Sequence, residues 1–333
     1  ADPDGGIIHL ATAGSRACIR SGRLRVSLRG EELDSVPLEQ VAGLVVHGNI
    51  DLSSALIREL LWRSVTIVWS SGTGRTIGWS HTAGTPNGSV RVRQHQASAE
   101  GRVELARSFI AAKIAGQATL LRRNGSVPNA VSSLRKLQRK AHEAERVDAL
   151  TGIEGEAAAL YFAGLPTMLR HPQGDSFLVG WTGRTGRGAF DPLNVCLNFI
   201  YGVITAEVIR AIAACGLDPH AGFLHSSARN KPALALDLME EFRAPIGDAV
   251  VLSAVNNREI TERDFSSALG TFRLRDSGRR ALLSAYERRI ETQFTHPVFR
   301  YKITWRRAVE VQARMVLGYL DGSQQQYRGM TTR

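Results

Sequence analysis

At 333 residues the chain is long enough for two domains, and 43% hydrophobic with 22% charged residues is a globular rather than a disordered composition. Its net charge of +11, carried by 37 arginines and 5 lysines against 31 acids, favours a polyanionic partner, nucleic acid first. No uninterrupted apolar run of membrane-spanning length and no charged-then-apolar leader is evident, so a membrane role is not expected.

The first ~90 residues carry the period-two alternation of strands. "ACIR" and "RLRVSLRG" flank Ser21-Gly22, a hairpin-turn dipeptide, and "VAGLVVHG" reads as a short buried strand. A capped helix follows in "DLSSALIRELLW", with Asp51 or Ser53 as the cap. "TIVWSS", "GTGR" and "TIGWS" then spell strand, turn, strand. The "GTGR" lacks the lysine-serine pair of a phosphate-binding loop. Around "HTAGTPNGSVRVRQHQ" a linker or exposed loop is expected, and beyond it helices over 98–123, 131–147, 151–163, 191–214, 232–243, 279–293 and 305–320. The expected fold class is therefore α+β: a small β-rich domain at 1–90, then a larger all-α domain at 91–333.

Charge is not spread evenly. Residues 101–150 hold 10 Lys/Arg against 4 Asp/Glu, and residues 271–333 hold 13 against 5, so the rest is slightly acidic. Arginine's planar fork suits phosphate oxygens, though a genome-wide codon bias toward arginine yields the same excess. Cys18, Cys196 and Cys215 lie far apart, with neither a disulfide framework nor CxxC metal spacing. A reducing, cytoplasmic setting is the expectation.

Three stretches carry candidate chemistry. In "GFLHSSARNKPALALDLMEEFR", Asp237, Glu240 and Glu241 share one sector of a helix whose other faces are apolar. A solvated acidic face is one reading. The other is a divalent-cation site, because like charges at i,i+3 repel and hard oxygen ligands relieve that repulsion, with His225 adding a nitrogen. In "LTGIEGEAAALYF", Glu154 has no cation among its helical neighbours, and Gly152 and Gly155 flank it. A first-turn glutamate welcomed by the helix dipole competes there with a functional one. In "WTGRTGRGAFDPLNVCLNFIYG", glycines space Arg184 and Arg187, which suits a loop draped on a phosphate backbone or an ordinary basic loop.

Taken in order, "GIEGEAAALYF", "GRTGRGAFDPLNVCLNFIYG", "GLDPHAGFLHS" and "LALDLMEEFRAPIGD" resemble the signature blocks of the CRISPR adaptation integrase, the Cas-one family. The tail "HPVFRYKITWRRAVEVQARMVLGYLDG" is similar to that family's final helices, so the resemblance covers nearly the whole chain. It implies an N-terminal β domain that dimerises, a helical catalytic domain, and assembly of the homodimer with the small Cas-two protein. It implies insertion of captured double-stranded DNA at the CRISPR repeat, with Mg²⁺ or Mn²⁺ held by Glu154, His225 and Glu240. Asp237 becomes an adjoining accessory acid, and Glu156 and Glu241 become bystanders. Relatives often carry prolines where this chain has Gly188-Ala189-Phe190. The opening "ADPDGG" lacks a methionine, which fits a trimmed chain or a piece excised from something longer, and leaves room for a DNA-trimming domain ahead of residue 1. Metal-dependent DNA integration is thus the leading expectation. A nuclease that only cleaves and a non-catalytic DNA-binding scaffold are the alternatives.

Overall fold

Strand alternation in the N-terminal third builds two four-stranded sheets. The computed structural model describes residues 5–186, 188–225, 231–268 and 270–331. β2 (Arg16–Arg20), β3 (Arg23–Leu28) and β4 (Glu31–Pro37) form an antiparallel meander, with β6 (Asp51–Leu52) parallel to β2. Ser21 and Gly22 adopt φ of 50° and 70°, and Arg20 pairs with Arg23. These are the left-handed positions of a two-residue hairpin whose twist matches its strands. The other sheet orders β1 (Gly6–Leu10), β5 (Val41–His47), β7 (Thr66–Ser70) and β8 (Thr76–Ser80), parallel except for the last pair.

α1 (Ser54–Trp62) is capped by Ser53, whose hydroxyl accepts from the Leu56 amide at 3.2 Å. Its Leu56 and Leu60 join Leu24, Leu44, Val46 and Ile67 in a core between the sheets. Val45 and Val68 face the opposite way, into the helical core. β5 is therefore covered on both faces, which is why "VAGLVVH" reads as an unbroken apolar run.

"GTGR" is the β7–β8 turn. A Cβ on Gly74 would lie 2.8 Å from the Phe199 carbonyl oxygen, and one on Gly202 would lie 1.8 Å from that of Gly74. Two glycines thus let the hairpin tip press on the long helix beneath it.

The expected linker is partly helix: α2 spans Gly88–Glu100, so position 90 falls in its first turn. Its apolar pattern is weak, and side-chain hydrogen bonds hold it instead. Gln94 Nε2 donates to the carbonyls of Asp218 (2.7 Å) and Ala221 (3.0 Å), and Arg91 Nε to that of Gly216 (3.0 Å). Then come α3 (Val103–Asn124), α4 (Pro128–Glu143), α5 (Val147–Gly164), α6 (Pro192–Ala214) and α7 (Ala233–Phe242). The expected helix ends at 243, yet the chain runs through a π-helical turn, Arg243–Asp248, into α8 (Ala249–Asn256). The Pro245 carbonyl accepts from Arg289 Nε and Nη2 at 2.8 and 2.6 Å. α9 (Asp276–Ile290) and α10 (Trp305–Asp321) complete the helices. The C-terminal region is not wholly helical: β9 (Phe265–Ala268) pairs with β10 (Thr271–Leu274), and β11 (Gln293–Thr295) with β12 (Lys302–Thr304). Strands of three or four residues are too short to display a period.

α6 is the nearest approach to a membrane-length apolar run among the described residues. At 23 residues it is long and apolar enough to cross a membrane by length and composition, but 78% of its apolar window is buried inside the protein. It is the central core helix. Its polar interruptions are paired: Arg210 Nη2 meets Glu207 at 2.8 Å and Glu310 at 2.7 Å.

Where sheet meets helices, buried His47 places Nε2 3.0 Å from His9 Nδ1. Burial, then the nearby His9 and Arg279, push its pKa down to about 3. The unfolded ring takes a proton near 6.5 while the folded one does not, so stability from this group falls as pH drops below that value. Denaturant melts of wild type and His47→Gln should show the wild type losing about 2 kcal/mol relative to the variant between pH 7.5 and 5. A constant difference between the two proteins would refute this.

Candidate functional site

The stability of α7 does not come from amphipathicity. Asp237, Glu240 and Glu241 are all buried, so the solvated acidic face is excluded and each carboxylate must have partners. The three are satisfied in three different ways.

Glu241 faces the C-terminal tail. It accepts hydrogen bonds from Tyr327 Oη (2.6 Å), Gln312 Nε2 (2.8 Å) and the Met330 amide (2.8 Å). Burial still pushes its pKa up to about 7. Asp237 gathers the loop ahead of the helix. One oxygen accepts the Phe223 and Leu224 amides (2.6 and 2.9 Å), and the other accepts the His225 amide (2.9 Å) and meets His225 Nδ1 at 2.7 Å. The loop can wrap the carboxylate this closely because residue 222 is glycine; a Cβ there would sit 2.9 Å from Asp237 Oδ2. Engaging Nδ1 fixes the ring and leaves Nε2 as its other face. Burial alone would lower the His225 pKa. The hydrogen bond and charge of Asp237 outweigh it, helped by Glu240 and Glu154, and hold the pKa above the usual histidine value.

Glu240 points elsewhere, toward cations. Arg243 Nη1 lies 2.8 and 3.1 Å from its two oxygens, and Lys113 Nζ, from α3, lies 2.8 Å from Oε2. Burial opposes ionisation, but Arg243, Lys113 and His225 prevail and pull its pKa down to about 2. The same Lys113 ammonium donates to Glu154 Oε1 on α5. Glu154 is not in a first turn, since α5 begins at Val147. Its outer side is bare: a Cβ on Gly152 or Gly155 would meet nothing within 4 Å. Glu156 lies on the exposed face of α5.

Behind Glu240 lies a buried network that the sequence did not announce. Arg243 stacks on the Tyr201 ring at 4.2 Å, Tyr201 donates to Asp248, and Tyr161 donates to the second Asp248 oxygen at 2.7 Å. Arg184 stacks on the same ring at 5.0 Å. Its guanidinium also reaches Asn194 Oδ1 (3.0 Å), Asn198 Oδ1 (2.6 Å) and the Thr185 carbonyl. Arg184 therefore braces its own loop with an inward-turned guanidinium, and the geometry lends no support to a phosphate contact by it. Arg187 lies outside the described residues.

The basic surplus at 271–333 is also partly inward. Arg306 pairs with Glu207 (2.9 Å), Glu287 (2.6 Å) and Glu291 (2.6 Å), and Arg307 with Glu310 (2.7 Å). On α4, by contrast, Leu134, Leu137 and Ala141 face the core while Lys136, Arg139 and Lys140 are exposed. α4 packs on both α3 and α5, the helices that carry Lys113 and Glu154.

Glu154, Glu240 and His225 are thus delivered by α5, α7 and the loop before α7. Among the described residues no three His, Cys, Asp or Glu side chains are gathered closely enough to hold a metal ion. The donor chemistry nevertheless fits a hard divalent cation: two carboxylates already share one ammonium, beside a histidine oriented by a third carboxylate. Lys113 escaped sequence reasoning. The available signal was a lone lysine inside the apolar run "FIAAKIAG" of an arginine-rich chain.

Comparison with known proteins adds three likenesses. A fusion of exonuclease Cas4 with endonuclease Cas1 from Geobacter sulfurreducens is 40% identical over 306 residues, 89% of this chain and 55% of that protein. This chain spans little more than half the length of such fusion relatives. A casposase bound to integration product superposes with a TM-score of 0.80 at 22% identity, covering 97% of this chain and 92% of the other. A Cas6-RT-Cas1–Cas2 complex contains a chain that superposes at 0.82 with 22% identity, covering all of this chain and 37% of that one. At those identities the two structures speak for the fold. The family described as "CRISPR associated protein Cas1" matches residues 8–288, a span that runs from within β1 to within α9 and includes Glu154, His225 and Glu240. With that match, the chain belongs to the CRISPR-associated Cas1 protein family.

Proposed function

We propose that this chain joins the 3′-OH ends of captured double-stranded DNA to a CRISPR repeat, by a transesterification that depends on a divalent metal. The observation that carries this reading is the convergence of Glu154 and Glu240 on a single cation beside His225. Glu154 and Glu240 would offer oxygen ligands and His225 its Nε2. Mg²⁺ or Mn²⁺ held there would supply charge neutralisation at the phosphate and activation of the attacking oxygen.

The chain's own residues prepare that chemistry. Arg243 and Lys113 keep Glu240 ionised at neutral pH. Asp237 presets the imidazole so that little rotamer freedom is lost when a ligand arrives. The bare surface at Gly152 and Gly155 leaves room for a backbone to approach Glu154. Lys136, Arg139 and Lys140 would hold duplex phosphates without reading sequence, in a strongly salt-dependent manner. When water takes the place of the 3′-OH, the same site would nick DNA. A homodimer joined to the Cas2 protein, and a Cas4-type trimming nuclease fused or associated, complete the proposed assembly.

The test uses a labelled duplex with free 3′-OH ends, a supercoiled plasmid carrying a repeat, and Mn²⁺, with and without Cas2. Covalent transfer of label by the wild type and none by Glu154→Ala is expected. Nicking without transfer, even with the partner present, would reduce the protein to a nuclease. Equal behaviour of both proteins would remove the assigned site.

A further inference from the structure

The chain contains 5 lysines among 42 basic residues, and one of them is buried at the centre of α3. Around Lys113 the helix is apolar: Phe109, Ile110, Ala111, Ala112, Ile114 and Ala115 are all core residues. A buried ammonium is tolerated only when paired, and this one is paired with both converging carboxylates, Glu154 and Glu240.

The two cations on Glu240 differ in how they are held. Arg243 is fixed against the Tyr201 ring at 4.2 Å, within the network anchored by Asp248. Lys113 reaches the site on a flexible four-carbon stem ending in a compact point charge. If one of the two must yield, the lysine can withdraw along its stem without dismantling a packed network.

We infer that Lys113 is a built-in counter-cation that occupies the space between Glu154 and Glu240 until a divalent ion displaces it. In the metal-free protein it cancels the repulsion between the buried Glu240 and the partly buried Glu154 and holds them in position. Because the ion must evict it, Lys113 weakens metal binding and sets the concentration at which the site fills. It is a positioning residue, and this role rests on the metal-dependent reading above.

Mn²⁺ affinity of the intact protein, measured by calorimetry, tests the idea with Lys113→Met and Lys113→Gln. Both variants should bind Mn²⁺ at least tenfold more tightly than wild type. Their melting temperatures should fall without metal and be restored by Mn²⁺ by more than the wild type gains. Wild-type binding with no tighter binding in the variants would overturn the inference while leaving the metal site standing. If neither wild type nor variants bind Mn²⁺, the metal reading fails and the inference with it.

A second measurement needs no variant. With so few lysines, a ¹⁵N-lysine-labelled sample should resolve the Lys113 ammonium, protected from exchange by its ion pairs. Saturating Mg²⁺ should shift or erase that signal. A signal unchanged while Mg²⁺ binds would overturn the inference on its own.

Discussion

Glu154→Ala lowers strand transfer by more than about 100-fold, since even changes one shell beyond a metal ligand cost 10–100-fold. The fold survives. Glu154 is one-fifth exposed, and its loss leaves Lys113 paired with Glu240, so the stability cost stays within about 3 kcal/mol. Glu240→Ala abolishes activity equally but acts on the fold as well. It leaves the partly buried Arg243 without its carboxylate and the buried Lys113 with Glu154 alone, at a cost of about 3–5 kcal/mol. Strand-transfer rates and urea melts on the two variants separate the cases. Equal stability losses would contradict the assignment of Glu240 to the buried charge network, and near-normal transfer by Glu154→Ala would contradict its place in the site.

Asp237→Ala gives the second large effect, through geometry. It removes the acceptor for three backbone amides, at Phe223, Leu224 and His225, and frees the His225 ring. Buried donors left unpaired cost about 1–3 kcal/mol each, so destabilisation of about 3 kcal/mol or more follows. The loss of orientation should weaken Mn²⁺ binding and strand transfer by about 10–100-fold. Asp237→Asn keeps the shape but turns an amide NH₂ toward donors, and should fall between wild type and alanine. Wild-type metal affinity in either variant would show that Asp237 does not position His225.

Much of the organisation is legible from local patterns. Ser21-Gly22, the Ser53 cap, the buried run of β5 and the long helices all follow from turn chemistry, capping and periodicity, which depend on neighbouring residues. The ordered blocks around Glu154, His225 and Glu240 are legible only through their resemblance to a family's signature blocks, each a short contiguous stretch.

Failures occur where long-range contacts override local signals. α2 looks like a linker because Asn87, Arg91 and Gln94 are held by the loop after α6, some 125 residues on. α8 is hidden by Pro245, whose carbonyl is taken by Arg289 on α9. The acidic sector of α7 could not be assigned to solvent or core from its wheel, since burial depends on which helices cover it.

The amino-acid sequence by itself determined the strand-rich N-terminal part, the long helices and the basic character, and its family resemblance singled out Glu154, His225 and Glu240 as candidates. Only the tertiary structure decided what those acids touch. It gave Glu241 to the C-terminal tail, Asp237 to the His225 loop and Glu240 to Arg243 and Lys113, and it turned Arg184 inward. The reason is physical: a buried charge is defined by its partners, and several of those partners are brought in by other elements, Lys113 on α3 and Tyr327 and Met330 in the C-terminal tail among them.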